Sequence, residues 1–180
     1  MALSSTMVPL GSALPAFDLP DLTGETVSSE TLAGRSVLVA FVCNHCPYVK
    51  HVETAFAGVV HAHPRLAVVA VCTNDAESYP DDAPARLAEQ ARRAGWDFPY
   101  LVDEAQDLGR AFGAACTPDF FLFDAEHRLA YRGAMDASTP GNGLPVTGEL
   151  LDDAIRRVLA GEGVPEPHRP SMGCSIKWRH

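Results

Sequence analysis

The sequence predicts an α/β fold in which a central mixed β-sheet is flanked by helices. Three observations lead there. Residues 37–42, Val-Leu-Val-Ala-Phe-Val, form a continuous apolar run rich in β-branched residues, as a strand buried on both faces requires. From Cys46 onward the apolar period changes: Val49, Val52, Phe56 and Val59 recur every three or four residues, the pattern of a helix burying one stripe. A second buried run, Leu66 to Cys72, follows. Strand, helix and strand of this length imply a right-handed crossover between parallel strands.

The remaining elements follow in order. Residues 1–36 carry turn formers such as Gly11, Pro15, Pro20 and Gly24 around short apolar pieces, and read as an N-terminal extension packed on a core spanning 37–162. The first core strand delivers Cys43 at its end. Asn44 is a candidate N-cap, with Pro47 in the first turn, where a missing amide hydrogen costs nothing, so the helix is expected to start between the two cysteines. A helix is expected from Pro84 to Ala94, stopped by Gly95, then a short strand at Tyr100 to Val102. Another helix is expected from Glu104 to Phe112, with Asp103 and Gln106 as a capping box and Gly113 closing it. Residues 119–123 and 128–132, joined by a short polar turn, form an antiparallel hairpin, which makes the sheet mixed. The turn-rich segment 139–145 reads as a connection to a last amphipathic helix, Gly148 to Ala160, with Leu151, Ile155, Val158 and Leu159 inward. Residues 163–180 form a proline-rich C-terminal arm ending in Gly-Cys-Ser-Ile-Lys-Trp.

Composition narrows the functional classes. The chain has 180 residues, 47% hydrophobic and 21% charged, an ordinary globular balance that fits one domain with its extensions. With 23 acidic against 14 basic side chains the formal charge is −9, so the average field repels nucleic acid and anionic membranes, and neither is expected as a partner. No run approaches the roughly 20 apolar residues that cross a bilayer, and the first basic residue is Arg35, so no secretory signal is expected and a cytoplasmic location is. Five cysteines, an odd number, argue against a disulfide-stapled scaffold in that compartment.

The chemistry centres on Cys43-Asn44-His45-Cys46. A thiolate is the nucleophile of disulfide exchange, and a cysteine at a helix N-terminus faces unpaired amides and the positive end of the helix dipole. On this reading Cys43 is the attacking sulfur and Cys46, three residues on, resolves the mixed disulfide. His45 adds positive charge or a hydrogen bond that favours the thiolate. Cys43, Cys46 and His45, with Cys72, Cys116 or Cys174 as further ligands, also form a soft set suited to copper(I) or zinc, although no second spaced pair completes it. Cys72, at the end of a buried strand, reads as a small core hydrophobe.

The order of elements, the dithiol at the first core helix and the stretch Thr-Pro-Asp-Phe-Phe-Leu-Phe-Asp together resemble the thioredoxin superfamily over residues 8–162, in particular its peroxiredoxin-like AhpC/TSA branch and the TlpA-type thiol oxidoreductases. Cys-Asn-His-Cys-Pro-Tyr-Val-Lys, Ala-Ala-Cys-Thr-Pro-Asp-Phe-Phe, Pro-Gly-Asn-Gly and the terminal Gly-Cys-Ser-Ile-Lys-Trp are similar to a bacterial subgroup of redoxin proteins. The resemblance implies a thioredoxin-like fold and thiol-disulfide oxidoreductase activity on protein or small-molecule thiols and disulfides in cytosolic redox homeostasis, with no cofactor and no resident metal. A peroxiredoxin-like peroxidase and a Sco-like copper or zinc protein are its alternatives. It also implies a cis Pro118 beside the dithiol, with Thr117 offering its backbone to an extended substrate. Departures are visible. Val42 stands where thioredoxins commonly carry tryptophan, and Val37 where they carry a buried acid, which removes that proton relay. Cys43 has Ala40 and Ser36, and Cys46 has Cys43 and Val39, where a peroxide pocket needs threonine or serine and proline. Any peroxidase activity is therefore expected to be weak. Arg132 reads as a solvated strand-end residue.

Two cysteines remain as candidate auxiliary redox residues, Cys116 and Cys174. Ile176 and Trp178 gain by burial, and the stiff proline-rich stem spans a small domain at about 3 Å per residue. The arm is thus expected to fold back and bring Cys174 toward Cys43, Cys46 and Cys116, where a Cys116–Cys174 disulfide would act as a second relay or lock the arm.

Overall fold

The computed structural model describes residues 2–179. A short strand β1 (Ala2–Ser4) and a small hairpin, β2 (Asp18–Pro20) with β3 (Thr26–Ser28), precede β4 (Val37–Phe41). Next come α1 (Pro47–His61), β5 (Ala67–Cys72), α2 (Pro84–Ala94), β6 (Tyr100–Val102) and α3 (Asp107–Phe112). The chain then forms β7 (Cys116–Thr117), β8 (Asp119–Phe123), β9 (Leu129–Gly133), α4 (Glu149–Leu159) and β10 (Met172–Ser175). The central sheet has the order β6-β5-β4-β8-β9, with β4, β5 and β6 parallel and β8 and β9 antiparallel. This is a thioredoxin-like α/β fold.

All five residues of β4 are buried, because its two neighbours cover both edges and its two faces meet separate cores. Leu38 and Ala40 face α1, α2 and α4, packing with Val49, Phe56, Leu87 and Ile155. Val37, Val39 and Phe41 face the other way, into a core closed by Phe112, Phe121 and Phe123 and by the terminal-segment residues Phe17 and Ile176. The Phe41 ring meets Phe112 at 5.1 Å and Phe121 at 5.8 Å, edge to face. Alternation along one strand thus fixes which core each side chain joins. No helix among the described residues is long and apolar enough to cross a membrane.

Four sequence expectations are corrected. The first helix starts at Pro47 with Cys46 as N-cap, not between the cysteines with Asn44 as cap. The third helix starts at Asp107, and Asp103 and Gln106 do not form a reciprocal box. Instead the buried Asp103 carboxylate accepts from Gly109 N at 2.9 Å and from Thr73 Oγ1 at 2.9 Å, while Gln106 donates to the Thr73 and Lys177 carbonyls. Arg132 is buried rather than solvated, because its guanidinium is held by the Val8 carbonyl at 2.8 Å and by His168 Nδ1 at 2.9 Å. The arm is not wholly extended coil: β10 inserts between β1 and β7 in a second sheet, and Ile176 is buried beyond it.

Candidate active site

At the end of β4 the chain leaves the sheet through Cys43-Asn44-His45-Cys46, and one buried carboxylate shapes that turn. Asp82 Oδ1 accepts from Asn44 N at 2.8 Å and His45 N at 3.1 Å. Its Oδ2 accepts from Asn74 Nδ2 at 2.8 Å and stands 2.6 Å from His45 Nδ1. Burial works to raise the Asp82 pKa, but the hydrogen bonds from His45 and Asn74 outweigh it and hold the carboxyl below its usual range. A second layer fixes the turn from beneath. Gln90 donates to the Cys43 carbonyl at 3.0 Å and accepts from Tyr100 Oη at 3.0 Å. Arg93 bridges Asn44 Oδ1 at 3.1 Å and the buried Glu53 at 2.8 Å.

Both thiols of the pair are fully buried. Thr117 meets both: its hydroxyl lies 3.3 Å from Cys43 Sγ and its carbonyl 3.2 Å from Cys46 Sγ, and the Thr117–Pro118 peptide bond is cis. The electrostatics favour the anion on Cys46. The Cys43 thiol bonds to it, and with the Cys174 thiol and the amides of Val49 and Cys174 brings the Cys46 pKa down to about 5, against the opposing effect of burial. The Thr117 carbonyl, at 3.2 Å, can only accept and so opposes the anion. Cys43 moves the other way, pushed well up by its bond to Cys46, by burial and by the Asp82 charge. On these contacts Cys46 is the candidate attacking sulfur and Cys43 the candidate resolving one, the opposite assignment to the one expected from the sequence. Cys46, not Cys43, occupies the N-cap, and His45 is paired to Asp82 while its Nδ1 stays 3.9 Å from Cys43 Sγ.

The structure brings Cys43, His45, Cys46, Thr117, Pro118 and Cys174 together, and sets Cys116 and Cys72 apart. Cys174 lies opposite Thr117 in the β10–β7 ladder, beside the carbonyl that Cys46 Sγ meets at 3.2 Å. Cys116 pairs with Ser175, so its side chain leaves the opposite face of the ladder from that of Cys174. That one-residue offset removes the expected Cys116–Cys174 bridge. Burial pushes both Cys116 and Cys72 well up, as suits inert core thiols. The edge on which Thr117 was expected to receive an extended substrate is covered by the chain's own β10.

Cys43, His45 and Asp82 also lie close enough to suggest a metal site. The 2.6 Å between His45 Nδ1 and Asp82 Oδ2 is the spacing of a shared proton; two ligands at about 2.0–2.1 Å on a tetrahedral zinc stand roughly 3.3 Å apart. The geometry present fits a hydrogen-bonded turn rather than the copper or zinc reading. Asp82, Asn74, Gln90 and Glu53 escaped the sequence reading because no spacing rule links them to the dithiol. Beside Pro118, a cleft is lined by Tyr48, Phe120, Met135, Thr139, Pro140 and Met172, so part of the segment read as a plain connection borders the site.

The AhpC/TSA family profile matches residues 10–132. No curated protein matches the chain. Among solved structures, an uncharacterized conserved protein from Geobacillus kaustophilus is 43% identical, with TM-score 0.96 over 99% of this chain and 97% of its own. A hypothetical protein from Sinorhizobium meliloti is 42% identical, with TM-score 0.93 over 98% of each chain. A secreted Mycobacterium tuberculosis disulfide oxidoreductase homologous to E. coli DsbE is 15% identical, with TM-score 0.63 over 78% of this chain and 94% of its own, a likeness of fold.

Proposed function

The chain belongs to the AhpC/TSA family, and on that premise we propose that it is a thiol-disulfide oxidoreductase whose working couple is Cys43 and Cys46. The observation that carries this reading is the pair of buried thiols, Cys43 and Cys46, both meeting Thr117 at a helix N-cap beside a cis proline. Cys46 as thiolate attacks one sulfur of a disulfide R–S–S–R′, forming a bond to R–S and releasing R′–S⁻, which takes up a proton. Cys43 then loses its proton, attacks the Cys46 sulfur and expels R–S⁻. Two protein thiols become one disulfide, and one disulfide becomes two thiols. The reverse sequence regenerates the dithiol. His45, anchored by Asp82, holds the turn so that the two sulfurs stay in reach. Substrates are protein or low-molecular-weight thiols and disulfides, and five cysteines, an odd number, suit a reducing compartment such as the cytoplasm.

Turnover with oxidised glutathione tests it. Cys46→Ser should lose turnover, while Cys43→Ser should leave Cys46 in a disulfide to a partner sulfur. Full turnover by the Cys46 variant would sink the reading. Family membership favours a second reading, reduction of a peroxide by the Cys46 thiolate. Around Cys46 the hydroxyl and proline of a peroxide pocket are replaced by Cys43 and Val39, so peroxide reduction measured by stopped flow should be slow. A rate matching disulfide exchange would reverse this ranking.

A further inference from the structure

We infer that Cys174 is a third redox thiol, the one through which external disulfides reach the buried couple, so that Cys46 closes bridges alternately with Cys174 and Cys43. This rests on the proposed oxidoreductase function and names the sulfur that presents the disulfide to Cys46.

Accessibility comes first. Cys43 and Cys46 have no exposed surface, whereas Cys174 is only partly buried. A sulfur with no exposure meets a dissolved disulfide directly only when the fold opens, as a transient. Position comes second. Cys174 stands across from Thr117, next to cis Pro118, on the edge where an added strand would lie, and the Thr117 carbonyl is itself 3.2 Å from Cys46 Sγ. The C-terminal strand thus occupies the place of an extended substrate and brings a thiol with it.

The docking is built into the chain. A Cβ at Gly173 would overlap the Thr117 carbonyl oxygen, so only glycine lets β10 approach this closely. The strand is held on its other edge by β1 and beyond its end by burial of Ile176. Lys177 N donates to Asn74 Oδ1 at 2.8 Å, and the same Asn74 donates to Asp82. The Trp178 ring lies 4.5 Å from the Arg110 guanidinium carbon. One asparagine therefore ties the tail to the turn that carries the dithiol.

The steps balance. Cys174 as thiolate attacks R–S–S–R′, forming a mixed disulfide with R–S and releasing R′–S⁻. Cys46 attacks the Cys174 sulfur, closing a Cys46–Cys174 bridge and releasing R–S⁻. Cys43, its proton passing to a departing thiolate, attacks the Cys46 sulfur, closes Cys43–Cys46 and returns Cys174 as thiolate. Burial and the neighbouring Cys46 push the Cys174 pKa up to about 11, with the Lys177 ammonium opposing them. Entry through Cys174 is therefore limited by its deprotonation. Its rate should rise about tenfold per pH unit from pH 7 to 9, whereas direct attack by the Cys46 thiolate would be flat over that range.

The test uses the full chain, oxidised glutathione as probe, rapid acid quenching and peptide mapping. Wild type should show glutathione on Cys174 at early times, and Cys46→Ser should trap it there. Cys43→Ser should stop at the Cys46–Cys174 bridge, and adding Gly173→Ala should abolish that bridge by lifting the strand. Cys174→Ser should oxidise its Cys43–Cys46 pair at least about tenfold more slowly, having lost an intramolecular partner. If the wild type closes Cys43–Cys46 without glutathione ever on Cys174, with a flat pH profile, the inference falls and the oxidoreductase reading stands. Absence of any Cys43–Cys46 disulfide in the wild type overturns both.

Discussion

Which sulfur carries the charge depends on single contacts that sequence does not display. Cys46 gathers donors from Cys43, Cys174 and the first helical turn, so thiolate absorbance at 240 nm should rise through about pH 5 and show no second step before the alkaline range. A first step near 8 to 9 would return both cysteines to ordinary thiols. Asp82 is the other decisive residue. It satisfies two backbone amides and two side chains inside a buried turn, so Asp82→Ala should cost about 2–4 kcal/mol in urea denaturation, and Asp82→Asn, which keeps an acceptor, less. Equal stability in the alanine variant would contradict its role. The Cys-x-x-Cys pair was legible because strand end, turn and helix start coincide at it. Asp82 was not, since 36 residues separate it from Cys46 and its Asp-Asp context reads as surface charge.

Elements were legible where one period dominates. β4, β5, α2 and the β8–β9 hairpin were expected within a residue or so of where they stand, because a continuous apolar run or a clean helical stripe specifies them. The ends of α1 and α3 were not. At α1 the proline fixes N1, which makes the residue before it the cap; a capping Asn44 would have had Pro47, with no amide hydrogen, at N3, and the amides of Asn44 and His45 go to Asp82 instead. At α3 the cap lies ahead of the first turn, on Asp103, whose carboxylate accepts from Leu108 N and Gly109 N, so Asp103→Ala should destabilise by about 1–2 kcal/mol in urea denaturation. A change below about 0.3 kcal/mol would show that water replaces the carboxylate there. β10 escaped notice because a four-residue strand containing glycine has no hydrophobic period, and only its register with β7 gives it meaning.

At the scale of the whole molecule, the terminal segments complete the fold rather than decorate it. β1 and β10 add a second sheet at the Thr117 edge, and Phe17 and Ile176 close one of the two cores. Asp119 sits where these parts meet. It is buried, with Oδ1 accepting from Ser5 at 2.8 Å and Oδ2 left without a partner among the described residues, and burial pushes its pKa up to about 7. A carboxyl raised in the folded state gives stability that is present below about pH 4 and lost as pH rises through 7. Relative to wild type, Asp119→Asn should therefore gain up to a few kcal/mol between pH 4 and 8, seen as a widening difference in urea midpoint. A constant difference across that range would mean Asp119 is ionised throughout. The central claim concerns the dithiol itself, and equilibration of the intact protein in graded dithiothreitol redox buffers, followed by acid quenching and alkylation in denaturant, tests it most directly. Cys43 and Cys46 should become protected together in one reversible two-electron transition while Cys72 and Cys116 remain alkylated throughout; two thiols that stay alkylated across the whole range, or protection of Cys46 without Cys43, would contradict it.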